Sequence, residues 1–331
     1  MTRLKTIIFM LSMLLVTTGA MAQFKPPSKP QGASPSTSGT SGNRSGTSNR
    51  SRSGNQNRSG NQNRSNNQNR PGNQNRSGNQ SRSGNQNRSG SQSGTSRQNT
   101  QQNKQRIIDN LVANMVYVAG GTFTMGATDE QGDDAWESEK PAHRVTVSSF
   151  SIGKYEVTQE EWEAVMGKNP SYFKGAKRPV EQVSWNDCQE FIRKLNSLTG
   201  KQFRLPTEAE WEFAARGGNK SNHYKYAGSK NLGSVAWYDD NSGDTTQPVG
   251  QKAPNELGLY DMSGNVWEWC SDWKGDYSSS AQTNPKGPSS ASYRVYRGGS
   301  LNNGARYCRV SNRDGWRPDG AHFNLGLRLA L

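Results

Sequence analysis

Arg204-Leu205-Pro206-Thr207-Glu208-Ala209-Glu210-Trp211-Glu212 is the stretch on which the fold turns. A hydroxyl residue stands three positions before an acid, and an aromatic follows. In that spacing the hydroxyl accepts the amide of the third helical residue, while the acid reaches back to the hydroxyl residue's own amide. Two donors that a helix start would otherwise orphan are satisfied together. The arrangement recurs at Thr158-Gln159-Glu160-Glu161-Trp162 and, with Asp as the acid, at Ser184-Trp185-Asn186-Asp187. Behind the Ser184 start, Trp185, Cys188, Phe191 or Ile192, and Leu195 fall on one helical face. The helix behind Thr207 is expected to stop at Arg216-Gly217-Gly218, where glycine accepts a left-handed cap at little cost. Three short helices are therefore predicted.

Strand signals flank them. Val145 and Val147 alternate with Thr146, and Ile152, Tyr155 and Val157 follow. At the other end Leu325, Leu327, Leu329 and Leu331 alternate with Gly326, Arg328 and Ala330, the period of a strand with one buried face. Between the third helix and that strand, turn residues dominate, as in Asn241-Ser242-Gly243-Asp244, Ala253-Pro254-Asn255 and Asn284-Pro285-Lys286-Gly287-Pro288. Long irregular stretches between few elements predict a loop-rich α+β domain. Its core would be pinned by Trp237, Trp267, Trp269, Trp273 and Trp316.

Upstream of this region the composition changes completely. Only 30% of the 331 residues are hydrophobic and the mean hydropathy is -1.00, too polar for a uniformly globular chain. No Asp or Glu precedes Asp109, yet 16 of the 41 Lys and Arg do. The formal charge of +14 thus belongs to the front third, and the remainder is close to neutral. All nine Trp lie at Trp136 or beyond, which excludes a single basic nucleic-acid-binding globule.

Residues 1–22 read as an export signal. Arg3 and Lys5 precede an apolar run from Ile7 to Val16, and Ala20-Met21-Ala22 supplies a small-x-small site before Gln23. The run is short for a membrane span, so a transmembrane chain is not expected. The destination is periplasmic or extracellular. In residues 23–106, Arg52, Arg58, Arg64, Arg70, Arg76, Arg82 and Arg88 recur every six residues among Ser, Gly, Asn and Gln. Such a segment has too little apolar surface to offset its ordering entropy, and disorder is expected. As a coil it would span roughly 50 Å. It reads as a solvated spacer or as a polycation for anionic envelope surfaces. Specific nucleic-acid binding is not expected, since no aromatic platform interleaves the arginines. The folded domain is placed at residues 107–331.

Several blocks of that domain carry a family resemblance. Gly120-Gly121-Thr122-Phe123-Thr124-Met125-Gly126 opens it, and Lys154-Tyr155-Glu156-Val157-Thr158 follows. The stretch from Arg204 to Glu212 comes next, then Gly258-Leu259-Tyr260-Asp261-Met262-Ser263-Gly264-Asn265-Val266-Trp267-Glu268-Trp269, then Arg297-Gly298-Gly299-Ser300. In order and spacing they resemble the formylglycine-generating enzyme, or sulfatase-modifying factor, family over about residues 112–331. The resemblance implies a variant C-type-lectin-like fold whose two ends lie close together. It also implies an activity: active members oxidise a cysteine of a client sulfatase to formylglycine with O2 and copper(I) held by two thiolates. Soft Cu(I) favours such a thiolate pair.

This chain departs from the family at that pair. Ser300 matches the active-site serine, but Leu301-Asn302-Asn303-Gly304-Ala305-Arg306-Tyr307 follows it, with no cysteine before Cys308. Copper is therefore not expected, and no catalytic residue is assigned. Cys188 reads as a buried free thiol, while Cys270 and Cys308 are expected to form a structural disulfide or else to remain two buried thiols. His143, at a strand start, reads as a polar edge residue.

By position, the resemblance assigns a structural calcium ion to the carbonyls of Ser263, Gly264 and Val266 with the Glu268 side chain, an oxygen-only set suited to Ca2+. The alternative is that Glu268 pairs with an arginine, Arg297 or Arg328. A ligand-binding surface is expected from Leu301, Asn302, Asn303, Arg306, Arg313, Trp316, Arg317, His322 and Phe323, a mixture of aromatic, Asn and Arg side chains; Trp316 and Phe323 could equally plug the core. Three functions follow as expectations: an exported non-catalytic module for a protein or glycan ligand, a cysteine oxidase, or a component of an envelope assembly.

Overall fold

The computed structural model describes residues 90–331, with side chains from residue 97 onward. The export signal at 1–22 and the repeat segment over 23–89 lie outside the described residues. Among the described residues no helix is long and apolar enough to cross a membrane.

The first element corrects an expected boundary. Helix α1 spans Gly90–Ala113, so residues 90–106 are helical rather than part of a disordered segment. From Thr95 to Ala113 there is neither Gly nor Pro, and Gln, Lys and Arg are good helix formers. Ile108 and Leu111 are buried near its end, against α2 (Gln159–Met166). Once those last turns are docked, each further residue adds a hydrogen bond without a new nucleation cost. Leu111→Ala is expected to lower stability by about 2–4 kcal/mol and to unravel α1. Urea unfolding and far-ultraviolet dichroism report both; unchanged values would remove this anchoring role.

The three predicted helix starts are present: α2, α3 (Trp185–Thr199) and α4 (Glu208–Ala215) all carry reciprocal capping boxes. At α4, Glu210 N–H donates to Thr207 Oγ1 at 3.2 Å and Thr207 N–H to Glu210 Oε2 at 2.8 Å. Gly217 follows at φ +90°, the left-handed turn anticipated after Arg216. A fifth short helix, α5, covers Leu232–Val235.

The strands form three small sheets. β1 (Met115–Val118) pairs with β4 (Phe150–Gly153), and β2 (Gly121–Met125) with β3 (His143–Val147), which β6 (Gln282–Thr283) joins in parallel. The third sheet has the order β8-β7-β5-β9, from β8 (Arg313–Trp316), β7 (Arg294–Arg297), β5 (Trp267–Trp273) and β9 (Leu325–Leu327). Ser151 pairs with Tyr117 of β1, near the start of the domain, and exchanges both backbone hydrogen bonds with Leu331, so the domain's two ends lie together.

Two large apolar clusters fill the interior. One joins α1, α2 and α3 to Trp267, Trp269, Leu325 and Leu327, with Trp162 stacked on Phe191 at 4.8 Å. The other packs α4 against β2, β3 and β4. Trp267 and Trp269 are buried as expected, whereas Trp237, Trp273 and Trp316 are only half-buried. The final strand also differs from its one-faced pattern, because Gly326 and Arg328 are buried with the leucines. Gly326 lets the Val180 carbonyl approach to where a Cβ would sit only 2.3 Å away, and Arg328 is neutralised by Glu268.

Candidate functional site

Gly298 and Gly299 both have positive φ, +103° and +74°, and turn the chain out of β7 toward Ser300. A Cβ on Gly299 would stand 2.7 Å from Cys308 Sγ, so glycine is needed for this close approach. Ser300 Oγ, fully buried, lies 2.9 Å from Asn302 Oδ1 and 2.5 Å from Asn303 Oδ1, and can donate to one of them. Asn324 Nδ2 donates to Ser300 Oγ at 3.0 Å and to Asn302 Oδ1 at 2.9 Å, while His322 Nδ1 lies 2.8 Å from Asn324 Oδ1. Burial holds the His322 ring below the usual histidine range, against the hydrogen bond with Asn324.

Phe323, next to His322, is buried edge-on to Phe173 at 6.0 Å and tilted against Tyr172 at 6.4 Å. Tyr172 itself is 49% exposed, which makes this ring the outward aromatic of the group. The structure thus brings together Asn302, Asn303, His322 and Phe323, with Leu301 buried behind them. Asn324, Tyr172 and Phe173 complete the group; an aromatic pair inside a loop was the available signal for the last two.

The other expected surface residues go elsewhere. Arg306 Nε donates to the Asp134 carbonyl at 2.7 Å, with its guanidinium 3.3 Å over Trp136. Arg313 is a core residue, not a surface one: it forks onto both Glu208 oxygens at 2.6 Å and covers Tyr277 at 4.0 Å. Trp316 lies half-buried on the edge strand and packs on the first apolar cluster. Arg317 is exposed, with Asp319 3.8 Å away. His143 is buried rather than an edge residue, its ring 4.8 Å from that of Tyr277.

Glu181 anchors the Tyr172–Phe173 loop. Its Oε1 accepts the Phe173 amide at 2.8 Å, while its buried Oε2 has no hydrogen-bond partner among the described residues. Burial pushes this carboxyl up to about 7, against the opposing backbone amides of Tyr172 and Phe173 and the charge of Lys174. A carboxyl raised on folding favours the protonated fold: its contribution is complete below the unfolded value and declines as pH rises through 7. Glu181→Gln is therefore expected to match the parent near pH 4.5 and to exceed it by up to about 3 kcal/mol at pH 8. Urea unfolding across that range checks it, and a difference independent of pH would contradict it.

The cysteines do not pair. Cys188 is a buried free thiol as expected, but Cys270 and Cys308 are also free. Cys270 sits in the cluster under α4, and Cys308 in a separate small cluster with Tyr226, Leu232 and Val235, so the expected disulfide is replaced by its stated alternative. Burial pushes the Cys308 thiol up to about 12 and those of Cys188 and Cys270 well above the ordinary value. With Cys188, Cys270 and Cys308 in three separate clusters, no two thiols stand together as the pair that Cu(I) needs.

The calcium set does not fit either. Glu268 is fully buried; Arg328 Nη2 donates to Oε1 at 2.6 Å, Arg328 Nε to Oε2 at 2.9 Å, and Trp211 Nε1 to Oε2 at 2.7 Å. Both carboxylate oxygens are thereby committed to an arginine, the alternative drawn from the sequence, and the Ser263, Gly264 and Val266 carbonyls are left without that ligand.

Residues 100–331 match the sulfatase-modifying factor enzyme 1-like domain family. The chain is 34% identical over 265 residues to a chaperone protein LppX of Paenibacillus barcinonensis, covering 65% of this chain and 88% of that protein. It is 32% identical to the formylglycine-generating enzyme of Mus musculus, covering 65% and 74%. Among solved structures it resembles Treponema denticola variable protein 1, with a TM-score of 0.60 and 36% identity over 65% of this chain and 94% of that one. A capped, loop-rich α+β domain, the Gly298-Gly299-Ser300 turn and a match to 232 consecutive residues agree, and the chain belongs to the sulfatase-modifying factor enzyme 1-like family.

Proposed function

We propose that this domain is a non-catalytic binding module for a protein or glycan ligand, exported and carried on the cationic repeat segment. One observation carries the reading. After the Gly-Gly-Ser turn, where the family chemistry calls for two thiolates, this chain carries one cysteine, the buried Cys308, and ahead of it two half-buried asparagines braced by Ser300 and Asn324. Amide groups fixed in this way offer both donors and acceptors, and Tyr172 adds an exposed ring beside them. That combination suits a polar ligand with an apolar face, such as a sugar or a loop of a protein. A family relationship alone does not bring the relatives' chemistry with it.

The test uses the full exported chain on a glycan array and against candidate envelope proteins. Binding is expected, with about tenfold loss in Asn302→Ala/Asn303→Ala while the domain still unfolds cooperatively, at a somewhat lower melting temperature. Binding indifferent to that double change would move the site elsewhere.

A further inference from the structure

A second concavity lies away from the asparagine group, between β3, β6, the start of α4 and the loop after β5. Its volume is about 580 Å³. Met125, Ala209, Pro285 and Pro288 give it apolar walls, and its charged floor is built from Glu208, Arg313 and Asp272. The first two of these neutralise each other at 2.6 Å.

Asp272 has no such partner. It is 4% exposed, and its Oδ2 accepts the Glu208 amide at 3.1 Å and the Ser271 hydroxyl at 2.7 Å. Its Oδ1 accepts no hydrogen bond among the described residues. No cation around it forms an ion pair with it among the described residues, and Arg294 acts on it through charge alone. Arg297 is divided between Glu208 and Glu212, and Arg313 serves Glu208 and the Gly275 carbonyl. Arg294 lies between the rings of Trp185 and Trp273, at 3.9 and 3.6 Å, and donates to the Ser271 carbonyl. Burial, with the charge of Glu208 behind it, pushes the Asp272 carboxyl up to about 7. At the mouth, the exposed Asp276 and Lys286 offset each other.

A nearly buried carboxylate with one oxygen unused, on the floor of a ligand-sized cavity, lacks only a cation that can arrive through the opening. The apolar walls suit methylene groups leading to it. We propose that this cavity binds a primary alkylammonium group, as at the end of a lysine side chain on a partner peptide, with Asp272 as its counter-ion. The site is independent of the asparagine group and of whatever binds there.

Calorimetric titration of the full exported chain with Nα-acetyl-lysine methylamide tests it, beside the norleucine and glutamate analogues and 1,5-diaminopentane. The lysine analogue is expected to bind, the norleucine and glutamate analogues about tenfold more weakly or not at all, and Asp272→Asn to lose about tenfold. Tighter binding of the diamine than of the lysine analogue would assign the site to free polyamines rather than to a peptide, and so overturn the peptide half of the proposal. Because Asp272 also accepts the first amide of α4, a second variant is needed that leaves it intact. Ser278→Trp at the exposed mouth should abolish binding with an unchanged melting temperature. Failure of both amines to bind, equal binding of norleucine, or wild-type binding by Ser278→Trp would overturn the proposal.

Discussion

Replacing Arg297 by methionine is expected to destabilise the domain by about 3–5 kcal/mol, the usual consequence of removing one partner from a buried ion pair. Arg297 is fully buried at the end of β7; Nη1 donates to Glu208 Oε1 at 2.7 Å, and Nη2 to Glu212 Oε2 and the Val310 carbonyl at 2.6 and 2.7 Å. One guanidinium therefore binds two acids on adjacent turns of α4 to the four-stranded sheet. Methionine fills similar space but leaves Glu212 with only Arg216 and the Gly126 amide. For a domain of this size the melting temperature should fall by on the order of 10 °C. Arg297→Lys, which keeps the charge but cannot fork, should lose less. Urea unfolding that places Arg297→Met within 1 kcal/mol of the parent would show that the network is dispensable.

Glu268→Ala should be similarly costly, about 3–5 kcal/mol, and for a reason that separates two accounts of this residue. In the structure it neutralises Arg328 and accepts Trp211 Nε1, so its loss leaves a buried cation held by the Gly153 and Tyr260 carbonyls and an orphaned indole N–H. If that is its whole role, chelator and added calcium leave the parent's melting temperature unchanged. A calcium-dependent rise in the parent that is absent from Glu268→Ala would instead restore the ion implied by family position. Thermal unfolding with and without EDTA decides between them.

How far these features were legible depends on the sequence distance over which they act. The three helix caps operate within four residues, so Thr158, Ser184 and Thr207 announced them. The α3 face was equally plain, since Cys188, Phe191, Ile192 and Leu195 recur at helical spacing. Arg313 read as a surface cation because its partner, Glu208, lies 105 residues away. Arg306 is drawn to the Asp134 carbonyl across 172 residues. A charge is buried only when its partner is brought to it, and no local pattern records that. The same holds for Asn324, which joins the site through Ser300, 24 residues earlier. The helix from Gly90 was hidden differently: its polar composition resembles the repeats, and its apolar anchors, Ile108, Leu111 and Val112, come at its far end.

The central claim is that the turn after Gly298 and Gly299 recognises a ligand and performs no copper chemistry. Its most direct test is to load the purified, reduced chain with copper(I), add a Cys-x-Pro-x-Arg peptide in air, and follow the peptide by mass spectrometry. The account predicts that no stoichiometric copper is retained and that the peptide cysteine is unchanged. Stoichiometric copper together with conversion of that cysteine to formylglycine would contradict it.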